Sequence, residues 1–169
     1  MNRNMDNNNF KETTRKIARL ILNSQQKMIR KEDLMNVCGS LDFEKVFREV
    51  EENLSKLGFD LFSTSFIGQE YYVLTSEGKD DNITPSQYGI LALIIALSKE
   101  VDENIKIDDL KEIFSELWDI DVQFLIKNDY LRRFDEFGII KVTPLGKATM
   151  KNIINNLQLK DLLNVFENE

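Results

Sequence analysis

Residues 43–75, FEKVFREVEENLSKLGFDLFSTSFIGQEYYVLT, carry a helix, a stop and a hairpin in direct succession. Phe43, Val46, Phe47, Val50, Leu54 and Leu57 recur every three or four residues, which predicts a helix over Asp42 to Lys56 with one apolar stripe. Gly58 is the expected stop. Phe59 to Phe66 and Glu70 to Thr75 are β-rich runs split by Ile67-Gly68-Gln69, the pattern of a hairpin. Upstream, Thr13 to Asn23 places Ile17, Leu20 and Ile21 at helical spacing, and a short helix is expected over Lys31 to Val37. Helix, helix, helix, hairpin is the order of a winged helix.

The second half repeats that order. Thr84-Pro85-Ser86-Gln87 is a helix start: a capping hydroxyl, proline where its missing N–H costs nothing, and glutamine placed to reach back. Helices are predicted over Ser86 to Ser98, Asp108 to Leu117 and Asp121 to Asn128. A hairpin follows, from Tyr130 to Phe134 and Gly138 to Val142, and Thr143-Pro144 should open a further helix. Ile29 and Asp33-Leu34 match Ile105 and Asp109-Leu110, and Thr75-Ser76-Glu77-Gly78-Lys79 matches Thr143-Pro144-Leu145-Gly146-Lys147. The polar stretch from Glu77 to Asn82 is the expected boundary. The expected fold is therefore α+β and mostly helical, with two tandem winged-helix domains of three helices and a hairpin wing each. They would occupy residues 11–79 and 83–169 behind a disordered, asparagine-rich tail at residues 1–10. The alternative is an unrelated α+β arrangement with coincidental turn chemistry.

Composition excludes much chemistry. The 169 residues include no histidine and one cysteine, Cys38, so a Cys/His zinc cluster, a Ser-His-Asp triad and an internal disulfide are impossible. No phosphate loop or calcium loop is present, and neither a cofactor nor a metal is expected. The start MNRNMDNNNF does not read as a secretory signal, and the longest apolar stretch, Tyr88 to Leu97, is too short to cross a bilayer. A cytoplasmic protein without membrane contact is the expectation.

A net charge of −7 argues against adhesion to nucleic acid by the whole surface. The two helices that would enter a major groove are poor readers: Asp42 to Lys56 opposes Lys45, Arg48 and Lys56 with five carboxylates, and Asp121 to Asn128 offers only Lys127. Cations gather elsewhere. Lys11, Arg15, Lys16, Arg19, Lys27, Arg30 and Lys31 face only Glu12 within their segment, and a second basic segment runs from Lys127 to Lys160. Within the latter, Arg132, Arg133 and Lys141 fall on the predicted second wing and Lys147 on the helix after it, where they could touch phosphates without reading sequence. Between the two lies an acidic run from Glu100 to Asp121. The helix from Ser86 to Ser98 is apolar all round, so it is either a joint between the halves or a protein interface. Ile153, Ile154, Leu157, Leu159, Leu162, Leu163 and Phe166 suggest a C-terminal helix.

The runs KIARLILNSQQKMIRKEDLMNVC from Lys16, FEKVFREVEENLSKLGFDLFSTS from Phe43 and GQEYYVLT from Gly68 resemble the first winged helix of the ScpB family, the kleisin-associated subunits of prokaryotic SMC complexes. ITPSQYGILALIIALSK from Ile83 is similar to the start of the second, and to the corresponding helix of MAGE-homology proteins, which share the kleisin-interacting tandem winged-helix group. LQLKDLLNVF from Leu157 resembles the ScpB end. The resemblance implies a non-enzymatic, nucleoid-associated subunit that homodimerises through its first winged helix and binds a kleisin, which bridges the SMC ATPase in chromosome condensation and segregation. It implies kleisin contact at Tyr88, Leu91 and Ile95, and possible non-specific DNA contact at Arg132, Arg133, Lys141 and Lys147. A tandem winged-helix DNA-binding transcription regulator, permitted by the paired T-x-x-G-K elements, is the alternative.

Overall fold

The structure, a computed structural model, describes residues 2–24, 28–76 and 82–151. The chain divides into two compact units, Met1–Lys79 and Asp80–Glu169, and is α+β. The Glu77 to Asn82 stretch, apart from Asn82 itself, and the expected C-terminal helix lie outside the described residues.

The first unit runs α1 (Asn2–Asn23), β1 (Met28–Arg30), α2 (Lys31–Cys38), α3 (Phe43–Ser55), β2 (Phe59–Phe66) and β3 (Gln69–Ser76). Its antiparallel sheet has the order β1-β3-β2. The apolar stripe of α3 (Val46, Phe47, Val50 and Leu54) packs with Ile17 and Ile21 of α1 and Leu34 and Cys38 of α2. Ile29, Leu61, Tyr72 and Leu74 line the sheet side of this core. Asp42 caps α3 by accepting from the Lys45 amide at 3.2 Å.

The second unit runs α4 (Pro85–Glu100), β4 (Ile105–Lys106), α5 (Ile107–Ile113), a π-helical turn (Trp118–Val122), α6 (Gln123–Lys127), β5 (Leu131–Phe134), a 3-10 turn (Asp135–Phe137), β6 (Ile139–Val142) and α7 (Pro144–Thr149). Its sheet has the corresponding order, β4-β6-β5. Ile90, Leu91, Ile94 and Ile95 of α4 meet Leu110, Trp118, Val122, Leu125, Leu131 and Ile140 in one core.

Both proline-marked starts form as their residues dictate. The Thr84 hydroxyl accepts from the Gln87 amide at 3.2 Å, and the Gln87 side chain accepts from the Thr84 amide at 3.1 Å. Thr143 accepts from the Gly146 amide at 3.1 Å, and its hydroxyl also reaches the carbonyls of Asp129 and Tyr130.

Four differences from the sequence reading stand out. α1 starts at Asn2, so the asparagine-rich segment read as a tail lies within a helix that continues outward from the anchored turns around Phe10 and Ile17. The short strands β1 and β4 have no counterpart in the sequence reading; each pairs with the second strand of its hairpin. α5 ends at Ile113 instead of Leu117, because the chain turns and then widens into the π-helical turn, where the amides of both Asp121 and Val122 reach the Leu117 carbonyl. The aromatic and apolar residues Phe114, Leu117 and Trp118 read from sequence as core, and of these Phe114 and Trp118 are buried while Leu117 is exposed.

Two positions carry stability consequences. A Cβ at Gly146 would overlap the Tyr130 carbonyl oxygen and approach Val142 Cγ1 to 2.9 Å, so Gly146→Ala should cost about 2–3 kcal/mol in urea unfolding. Ile67 and Gly68 form the two-residue loop between β2 and β3 with φ of 51° and 71°, a conformation that penalises a β-branched side chain. Ile67→Asn should therefore stabilise the protein by about 1 kcal/mol, read as a raised denaturant midpoint.

Candidate functional site

The cations predicted to meet DNA are placed by the second sheet. Arg132 stands opposite Lys141 in the β5–β6 register, on the face away from the core. Arg133 stands opposite the fully buried Ile140, so it belongs to the other face. Lys147, on α7, is drawn towards Lys141 through their partners: Lys147 Nζ lies 2.7 Å from Glu103 Oε1, and Lys141 Nζ donates to Asn104 Oδ1 at 2.8 Å. Both acceptors sit on the turn after α4. There Asp102 and Glu103 take positive φ of 51° and 63°, and Asn104 Nδ2 donates to the Asp102 carbonyl at 3.1 Å.

The two arginines are engaged as well. Arg132 Nη2 donates to both carboxylate oxygens of Asp129 at 2.8 Å, and Arg133 Nη2 donates to Asp135 Oδ1 at 2.7 Å. Three of the four cations thus carry a carboxylate in contact, and only Lys141 holds a neutral acceptor. The Arg132 and Arg133 pairs, with the arginines a third or more exposed, contribute about 0–1 kcal/mol each, so their importance lies in cancelling the local field rather than in stability. A phosphate approaching this hairpin would meet nearly balanced charge, divided between two faces of the sheet.

The residues expected to meet a kleisin are separated by burial. Leu91 and Ile95 are 0% and 2% exposed in the core of the second unit, and Tyr88 is half-buried at its edge. Spaced three and four apart, they share the helix face turned inward, which is unable to present area to a partner. Gly89, Leu93 and Leu97 form the less covered stripe of α4. The all-round apolar sequence had concealed which side is outside.

Accessible apolar surface lies elsewhere. Ile113 at the end of α5, Leu117 in the turn that follows and Ile120 in the π-helical turn are 55%, 40% and 71% exposed. Glu112, Glu116 and Asp119 stand beside them, also exposed. Each hairpin tip adds one exposed hydrophobe, Ile67 at 58% and Phe137 at 73%. No periodicity argument could have found these, because an exposed apolar side chain looks like a core residue in sequence. In the first unit an open cleft of about 570 Å³ is lined by Lys31, Met35, Asp42, Phe43 and Glu70 among others, and is crossed by a Lys31–Glu70 ion pair of 3.0 Å.

The chemistry available is that of contact. Among the described residues no cluster of carboxylates or cysteine could hold a metal ion, and no helix is long and apolar enough to cross a membrane. A hydrogen bond to the Glu70 carboxylate holds the Lys31 ammonium above its ordinary pKa. No protein-family model matches the chain, and no curated protein matches it.

Burial pushes the Cys38 thiol up from its ordinary value. Its modification by a thiol reagent at pH 8 should be on the order of a thousandfold slower in native buffer than in denaturant, as expected for access only by opening of the core. From about pH 8.5 the unfolded thiol ionises ahead of the folded one, so the unfolded state binds fewer protons and stability should fall as pH rises. Urea titrations at pH 7 and pH 9.5, compared with Cys38→Ala, check the sign.

Proposed function

We propose that each unit is a winged helix and that the protein is a non-enzymatic accessory subunit of an SMC-kleisin assembly, homodimeric and kleisin-binding, in the manner of the ScpB and MAGE-homology group it resembles. The fold part of the reading is supported by the order helix, strand, helix, helix, hairpin, found twice. It is supported too by the first strand of each unit pairing with the second strand of its hairpin. The observation that carries the functional part is the exposure of Ile113, Leu117 and Ile120, close together in the chain and interspersed with the exposed carboxylates Glu112, Glu116 and Asp119. Exposed apolar surface rimmed by charge is what a protein partner covers. α3, the helix a winged helix would lay in the major groove, is acidic, which favours a protein partner over sequence-specific DNA recognition.

Light scattering of the full chain, alone and with a kleisin from the same host, tests the reading. A dimer that takes up the kleisin is expected. Leu117→Asp with Ile120→Asp should weaken that complex at least tenfold while leaving the melting temperature within a few degrees, since both side chains are exposed. A protein that neither self-associates nor binds any kleisin or SMC subunit would sink the proposal. Selection of a defined motif from random duplexes would favour the transcription-regulator reading instead.

A further inference from the structure

Arg132, Arg133, Lys141 and Lys147 of the second unit are engaged, whereas three cations of α1 hold no such partner among the described residues. Lys11, Arg15 and Arg19 lie on its exposed side, and among the described residues none has a carboxylate or hydrogen-bond partner. The neighbouring Lys16 is held by Glu12 at 2.9 Å, which occupies the carboxylate that lies within the row. Positions four apart on a helix are about 6 Å apart along its axis, so the three charges form a gently inclined row about 12 Å long. Asn8 extends the same face with an uncharged amide.

We propose that this row is a contact for the phosphate backbone of duplex nucleic acid, independent of sequence and separate from any kleisin-binding surface. One strand of a duplex presents about four phosphates over 12 Å of axis, so the row matches a repeating polyanion in length as well as in sign. The distribution of charge between the units points the same way. Residues 1–79 carry 12 basic and 12 acidic side chains, whereas residues 80–169 carry 10 and 17, so the whole deficit of −7 belongs to the second unit and a polyanion is steered to the first. An anionic membrane is the weaker match. A helix lying in a lipid interface needs its apolar face free, and α1 has Ile17 and Ile21 buried in its own unit.

Fluorescence anisotropy of a labelled random-sequence duplex of about 30 base pairs, titrated with the full chain between about 50 and 200 mM salt, tests this. Three released counterion contacts give an expected slope of log K on log salt of about −2.7. K11Q/R15Q/R19Q, which keeps good helix formers on an exposed face, should lose at least tenfold in affinity at the low-salt end and most of the slope, with unchanged circular dichroism. R132Q/R133Q/K141Q/K147Q should bind within about threefold of the unaltered protein, because those side chains are already engaged. The proposal is overturned if the α1 variant binds duplex as the parent does, if the parent shows no salt-dependent binding, or if phosphatidylserine vesicles are bound through α1 and duplex is not. Light scattering with a kleisin is a separate readout, so failure of either proposal leaves the other standing.

Discussion

An α-helix with apolar residues on every side has nothing in its own surface to fix its rotation, and α4 is such a helix. What fixes it is polar. Gln87, buried at its first turn, closes the capping box with Thr84 and donates through Nε2 to Asp121 Oδ1 at 3.1 Å, while Ser86 Oγ donates to Asp121 Oδ2 at 3.3 Å. Asp121 is itself buried, in the π-helical turn that feeds α6. A carboxylate so placed is costly to desolvate and is tolerable only when its oxygens are satisfied. One rotation of α4 supplies both donors, and every other rotation would strand the charge. The start of α4, the widened turn and the approach to α6 are thereby set together, and the apolar packing of the second unit follows.

The same economy of position governs the charges. Formal charge is a property of the sequence, but a field is a property of arrangement. In the second unit a turn with two consecutive residues at positive φ brings Glu103 and Asn104 against Lys147 and Lys141, across 44 and 37 residues of chain. Arg132 and Arg133 find their acids two or three residues away. Four cations of that basic segment, Arg132, Arg133, Lys141 and Lys147, are thus matched group by group in the fold. α1 differs because Ile17 and Ile21 enter the core while Lys11, Arg15 and Arg19 stay exposed, and Glu12, which lies among them, is occupied by Lys16.

How much of this could be read from residues alone depended on how local the cause was. Helix starts at Thr84 and Thr143 were legible, and the hairpin turn within Ile67-Gly68-Gln69 was too, although Gln69 belongs to β3, because a cap or a tight turn is decided by its own residues. The strands β1 and β4, of three and two residues, were not, since a run that short has no period. α5 was overrun because Phe114, Leu117 and Trp118 continue the helical spacing past the point where the backbone widens. The face of α4 could not be chosen from a pattern apolar all round, so Leu91 and Ile95 read as available for binding when they are core. Partners such as Glu103 for Lys147 are set by tertiary placement, which no spacing rule reaches.

The internal matches in the sequence can now be given a physical meaning. Ile29 and Ile105 lie in the short strands β1 and β4, opposite Tyr72 and Ile140, and Leu34 and Leu110 five residues on are both fully buried. Between them the residues that open α2 and α5, Arg30 and Lys106, have backbone angles of −71°, 138° and −70°, 137°, with no side-chain cap in either case and two acids in the first turn of each helix. The threonines of the T-x-x-G-K elements also share a task. Thr75 Oγ1 donates to the Asp60 carbonyl at 3.3 Å, and Thr143 Oγ1 donates to those of Asp129 and Tyr130, so each ties the end of a hairpin to its beginning. Chance similarity of a few letters would not be expected to reproduce strand partner, backbone angle, burial and hydrogen-bond direction at corresponding places. The short matches mark the positions where the two units solve one backbone problem in one way, while the residues between them are constrained only to be apolar on the correct side.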